Sequence, residues 1–90
     1  MTNAPVLYDN PNFEHADVAV LFCLQVLREQ GLTFAAGQLE GISVSCPAMA
    51  RVALRVLYGI WATGPAAEYV SIARHLCERA LTVRSLRAAG

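Results

Sequence analysis

Ninety residues with zero net charge, 56% of them hydrophobic and only 16% charged, make one domain with more apolar surface than so short a chain hides easily. The mean hydropathy is +0.41 and the isoelectric point about 6.7. This excludes the strongly basic balance of a typical nucleic-acid-binding domain and points to a homodimer or a tight partner, because large exposed apolar patches mark interaction sites.

The neutral total hides an asymmetry. Residues 1–45 carry Asp9, Glu14, Asp17, Glu29 and Glu40 against Arg28 alone, whereas residues 46–90 carry six arginines against Glu68 and Glu78. Such a division favours packing of the two halves on one another or a basic face for an acidic partner. Lysine is absent and alanine abundant, the bias of a GC-rich bacterial or phage gene. Cys23, Cys46 and Cys77 are odd in number, widely spaced and form no Cys-x-x-Cys pair, which suits free thiols in a reducing cytoplasm. The start, MTNAPVLYDNPN, lacks the basic and apolar regions of a secretory signal.

Residues 1–13, with Pro5, Pro11 and three asparagines, read as an extended N-terminal arm that Val6, Leu7 and Tyr8 could anchor, ahead of a single helical domain over 14–90. Asn10-Pro11 is a good helix start, and a first helix is predicted over about 11–30, stopped by Gly31 in the left-handed position. Its apolar residues, among them Val20, Phe22, Leu24 and Leu27, cover most of the circumference. A narrow polar stripe of Glu14, Asp17, Gln25 and Arg28 remains. A helix so nearly apolar all round belongs in a core or at a subunit interface. The run Val18–Leu24 is far below the ~18 to 20 apolar residues that span a bilayer.

The segment 32–46 has two readings. Thr33 to Gly41 suits a short helix followed by a turn. Ile42, Val44 and Cys46 alternating with Ser43 and Ser45 suit the second strand of a β-hairpin. The helical reading is preferred. A further helix is expected over about 46–63, apolar except for the stripe Arg51, Arg55, Gly59 and ended by Gly64-Pro65. The last is expected over about 65–86, with Tyr69, Ile72, Ala73, Leu76, Ala80 and Val83 as its apolar stripe. The fold class is therefore mainly α: a small bundle of three longer helices with a short helix or hairpin at 32–46, completed by dimerisation.

The stretch LTFAAGQLEGISVSCPAMARV resembles a helix-turn-helix, in which a short helix ends at a glycine and a recognition helix follows. The resemblance makes Gly41-Ile42-Ser43 the turn and directs Arg51 and Arg55 at DNA. Glu40, Gly37 and Pro47 depart from the pattern, and Arg28 is the one basic residue in the first fifty, where phosphate contacts normally need several. Glu68, Ser71 and His75 share one face of the last helix but lie strung along it, without the orienting group and oxyanion hole that a catalytic serine needs. His15, His75 and the cysteines lack metal-ligand spacing. No cofactor, metal or catalytic residue is assigned.

Aromatics dominate interface hot spots, and arginine pairs bidentately with carboxylates. Tyr58, Trp61 and Tyr69, with Arg51 and Arg55, are therefore the candidate partner-binding residues. Val20, Phe22, Leu24 and Leu27 are the candidate dimer or core residues. The reading is a small cytoplasmic, non-enzymatic regulator that binds and inhibits or adapts a larger protein, for example an anti-activator of a transcription factor. A helix-turn-helix regulator that binds DNA is the alternative.

Overall fold

A computed structural model describes the backbone of residues 13–89 and the side chains of residues 13–82. The expected N-terminal arm and the Asn10-Pro11 helix start lie outside the described residues. Four α-helices follow in order: α1 (Phe13–Glu29), α2 (Thr33–Leu39), α3 (Pro47–Tyr58) and α4 (Pro65–Ala89). There is no strand among the described residues, so the chain is mainly helical, and the 32–46 segment holds a short helix, Thr33–Leu39, and no hairpin.

Helix α1 ends in a Schellman motif. Gly31 adopts φ +78°, which glycine enters without a Cβ penalty. Its N–H donates to the Arg28 carbonyl at 3.0 Å, and the Leu32 N–H reaches back to the Leu27 carbonyl at 2.9 Å. The end carbonyls of the helix are thereby satisfied, and half-buried Leu32 leads directly into α2.

That short helix contributes Ala36 and Leu39 to the core. It stops in a tight turn: Glu40 has φ −61° and ψ 133°, Gly41 has φ +85°, and the Ile42 N–H donates to the Leu39 carbonyl at 3.1 Å. This is a type II turn, whose third position needs positive φ and hence glycine.

The alternation through 42–46 that suggests a strand is real but has no ladder. Val44 is buried while Ser43 and Ser45 face solvent, in an extended connection held by a side chain. Asp17 Oδ1, on α1, accepts the Val44 N–H at 2.7 Å across twenty-seven positions of chain. The carboxylate thus does for this amide what a neighbouring strand would otherwise do.

Helix α3 is shorter than its apolar pattern predicts, ending at Tyr58 and not near 63. Gly59, the poorest helix former of the stretch after proline, takes the cap, and the last turn tightens as the Gly59 and Ile60 N–H groups bond to the carbonyls of Val56 and Leu57. The chain then leaves the helix. Ile60 stays buried, Trp61 is turned outward, and a non-helical stretch carries the chain to Gly64-Pro65. Helix α4 opens there, with the Ala67 N–H donating to the Gly64 carbonyl at 3.1 Å. It runs to Ala89, a little past the expected end near 86.

The core is a seam of small residues spaced alternately three and four apart. On α4 it comprises Ala66, Val70, Ala73, Cys77 and Ala80; on α1, Ala16, Val20, Cys23 and Leu27; on α3, Ala50, Ala53 and Leu57. Heptad-like spacing keeps each seam on one face, and alanine and cysteine let the helices approach closely. Leu27, Leu39 and Leu57 are fully buried; a buried leucine of this kind stabilises by about 1.5 to 3 kcal/mol.

The helix around which the others assemble is α4. It packs on both α1 and α3, and α2 bridges α1 and α3. The expectation that α1 is buried on several sides holds for Val20, Leu24 and Leu27 but not for Phe22, which is half exposed together with Val18 and Leu21. Among the described residues, nothing covers the side of α1 that carries Val18, Leu21 and Phe22.

Candidate interaction surfaces

Six exposed apolar residues gather on two surfaces. The first is a groove between α1 and α4, about 340 Å³, lined by His15, Val18 and Phe22 from one helix and Tyr69, Ile72 and Leu76 from the other. These positions are a second stripe on each helix, again at spacings of three and four, adjacent to the buried seam. Phe22 is 53% exposed and Ile72 50%. On α4 the expected apolar stripe is thus split: Ala73 and Ala80 turn into the core, while Tyr69, Ile72 and Leu76 line the groove.

The second surface lies where α1 passes into α2 and the chain leaves α3. Trp61 is 94% exposed and Phe34 80%. They flank a cavity of about 390 Å³ whose floor includes Gly31, Leu32 and Ile60. Sequence reasoning misses Phe34, because a seven-residue helix has too few positions to show which face is inward. Trp61 is found as a candidate but assigned to a helix. Its exposure comes from the chain leaving that helix at Gly59.

The three candidate aromatics therefore do not form one cluster. Tyr69 belongs to the groove, Trp61 to the second surface, and Tyr58 to a polar constellation on α3 and α4. The Tyr58 hydroxyl donates to Glu78 Oε2, and the Arg74 guanidinium lies 4.8 Å from the centre of the ring, a cation–π distance. The bond to Glu78 is the main cause of a Tyr58 phenol pKa above the ordinary value, and the nearby Arg74 charge opposes it. Arg51 and Arg55 are exposed on α3. On α1 and the turn after α2, Arg28 pairs with Glu40 at 2.8 Å, with both side chains more than half exposed. A pair so solvated contributes little.

The chemistry available is slight. Glu68, Ser71 and His75 are all exposed along α4, in line and not convergent. Among the described residues no three His, Cys, Asp or Glu side chains lie together as a metal site. Cys23 and Cys77 are buried free thiols, and desolvation pushes both up to about 11, which suppresses the nucleophilic thiolate. At Cys77 the charges of Glu78 and Asp17 add to the rise, which places the beginning of α1 beside the second half of α4. No helix among the described residues is long and apolar enough to cross a membrane.

Helices α2 and α3 follow in the order of a helix-turn-helix. Residues 40–46 separate them, however, with an extended stretch at 42–45 in place of the three- or four-residue turn of that motif. Comparison with protein-family models, curated proteins and solved structures finds no match for the chain.

Proposed function

We propose that this chain is a small, non-enzymatic interaction module, a cytoplasmic homodimer that binds and inhibits or adapts a larger protein, in the manner of an anti-activator of a transcription factor. The observation that carries the reading is the pair of almost fully solvated aromatics, Trp61 and Phe34, beside an open cavity. Exposing a tryptophan and a phenylalanine to water is costly for a chain this small, and aromatic side chains beside a pocket are the usual anchors of a protein interface. Arg51 and Arg55 add exposed forks for carboxylates of the partner. The extended connection at 42–45 favours this reading over DNA recognition by α3.

The test is affinity capture from native lysate, with and without nuclease, comparing wild type with Trp61→Ser and with Arg51→Glu/Arg55→Glu. A near-stoichiometric protein that survives nuclease and is lost with Trp61→Ser supports the reading. Recovery of DNA that is abolished by the double arginine reversal supports the helix-turn-helix alternative and sinks the proposal.

A further inference from the structure

The groove between α1 and α4 is apolar, open and small. Val18 and Phe22 stand on its α1 wall and Tyr69, Ile72 and Leu76 on its α4 wall. A standard interface between two proteins takes about 20 to 30 residues from each side. Seven residues line this space of about 340 Å³, which suits a short segment of chain better than the face of a second globular protein.

The position of the groove indicates which segment. It begins at His15, two residues after Phe13 opens α1. Twelve residues precede Phe13, MTNAPVLYDNPN, and they lie outside the described residues. Their one run of large apolar side chains is Val6-Leu7-Tyr8, and Asp9-Asn10-Pro11-Asn12 follows it, a composition that turns a chain. At no more than about 3.6 Å per residue, Tyr8 reaches up to about 18 Å from Phe13 and Val6 up to about 25 Å. Val18 and Phe22 stand only about 8 and 14 Å from Phe13 along the axis of α1, at 1.5 Å per residue. A segment that doubles back from Phe13 therefore covers the length of the groove and has chain to spare for the turn.

The spacing of the side chains fits as well. In an extended segment Val6 and Tyr8 fall on one side, about 6.6 Å apart. Val18 and Phe22 are about 6 Å apart along α1. Pro5 restricts the backbone directly before the run, which lowers the entropy lost on docking. A segment on a short tether also meets its site at an effective concentration in about the millimolar range, which a free copy in dilute solution does not match.

From this we infer that the α1/α4 groove seats this chain's own N-terminal arm. Residues 6–8 run along it antiparallel to α1, with Val6 beside Phe22, Tyr8 beside Val18, Ile72 between them on the opposite wall and Leu7 turned outward. The inference goes beyond the function proposed above. It uses no residue of the Trp61 surface and leaves the homodimer of that reading to another face.

Two measurements on the full chain test it. The first is disulfide trapping in Val6→Cys/Ile72→Cys/Cys46→Ser, oxidised in dilute solution and mapped by mass spectrometry. Cys46 is replaced because it is the native thiol that is not fully buried. A bridge between positions 6 and 72 of one chain is expected, formed faster than the corresponding bridge in the control Val6→Cys/Arg55→Cys/Cys46→Ser. A bridge between two chains, no bridge, or equal rates in the two variants overturns the inference. The second measurement is thermal melting of Val6→Ser/Tyr8→Ser, of Ile72→Ser and of the three substitutions combined, over a concentration series, with circular dichroism confirming that each is folded. The arm variant is expected to melt roughly 4 to 8 °C below wild type at every concentration. It should add little once Ile72→Ser is present, because both remove the same contact. An arm variant that melts with wild type, or a loss that adds in full to that of Ile72→Ser, overturns the docking. Neither outcome touches partner capture through Trp61, which is read separately.

Discussion

The carboxylate of Asp17 offers the sharpest test of how the chain is held together. It accepts the Val44 N–H at 2.7 Å in a partly buried setting, and Val44 is itself a buried member of the core. Replacing Asp17 with alanine leaves that amide without an acceptor where water reaches it poorly. A hydrogen bond to a charged group contributes about 1.5 to 3 kcal/mol. Partial solvent access places this one around or below the low end of that range, about 1 to 2 kcal/mol. For a domain of this size each kcal/mol moves the melting temperature by roughly 4 to 8 °C. Asp17→Ala should therefore melt roughly 4 to 16 °C below wild type. Asp17→Asn keeps a carbonyl acceptor and should lose less than half as much. Denaturant unfolding gives the free energy, and native-state hydrogen exchange should show faster exchange at the Val44 amide. If Asp17→Ala stays within about 0.5 kcal/mol of wild type, the range of ordinary surface substitutions, with Val44 protection unchanged, the tether is not what organises the 42–45 connection.

Two other predictions concern the core. Val20→Asp or Leu24→Asp places an unpaired carboxylate at a buried position of α1 and should abolish the cooperative melt, since burying a lone charge costs several kcal/mol even after its pKa adjusts. A cooperative transition close to that of wild type in both variants would remove α1 from the core. The thiols of Cys23 and Cys77 are raised from 9.0 to about 11, so native protein at pH 8 should alkylate first at Cys46, which is only half buried. Because folding raises these two pKa values, their contribution to stability is whole below pH 9 and is lost as pH climbs from about 9 through 11. Mass-mapped labelling that finds all three cysteines equally fast, or a melting temperature that rises across that window, would contradict this.

Much of the fold is legible in the residues. Gly31 and Gly41 mark turns because both sites need positive φ, and Gly64-Pro65 marks the start of α4 because proline suits a first helical position. The periodicity of α1 and α4 identifies two helices with broad apolar faces. It does not say which part of that breadth is covered: Val20 and Leu24 are buried while Phe22 is not, and Ala73 is buried while Ile72 is not. That division depends on where two helix axes lie, a tertiary property that a single helical wheel lacks. The end of α3 is missed for a related reason. Gly59, Ile60 and Trp61 continue the apolar run, and only the capping geometry at Gly59 sends Ile60 inward and Trp61 out. Asp17 reads as part of a solvated stripe because its partner is a backbone amide twenty-seven residues away, which leaves no local signal.

The central claim is that the Trp61–Phe34 surface holds a larger protein. Capture should be repeated with Trp61→Ala/Phe34→Ala beside the groove variant Ile72→Glu, after both are shown to be folded. The account predicts that the double variant loses the captured protein at least tenfold while Ile72→Glu retains it. Equal recovery by wild type and the double variant, or the absence of any stoichiometric protein with wild type, would contradict it.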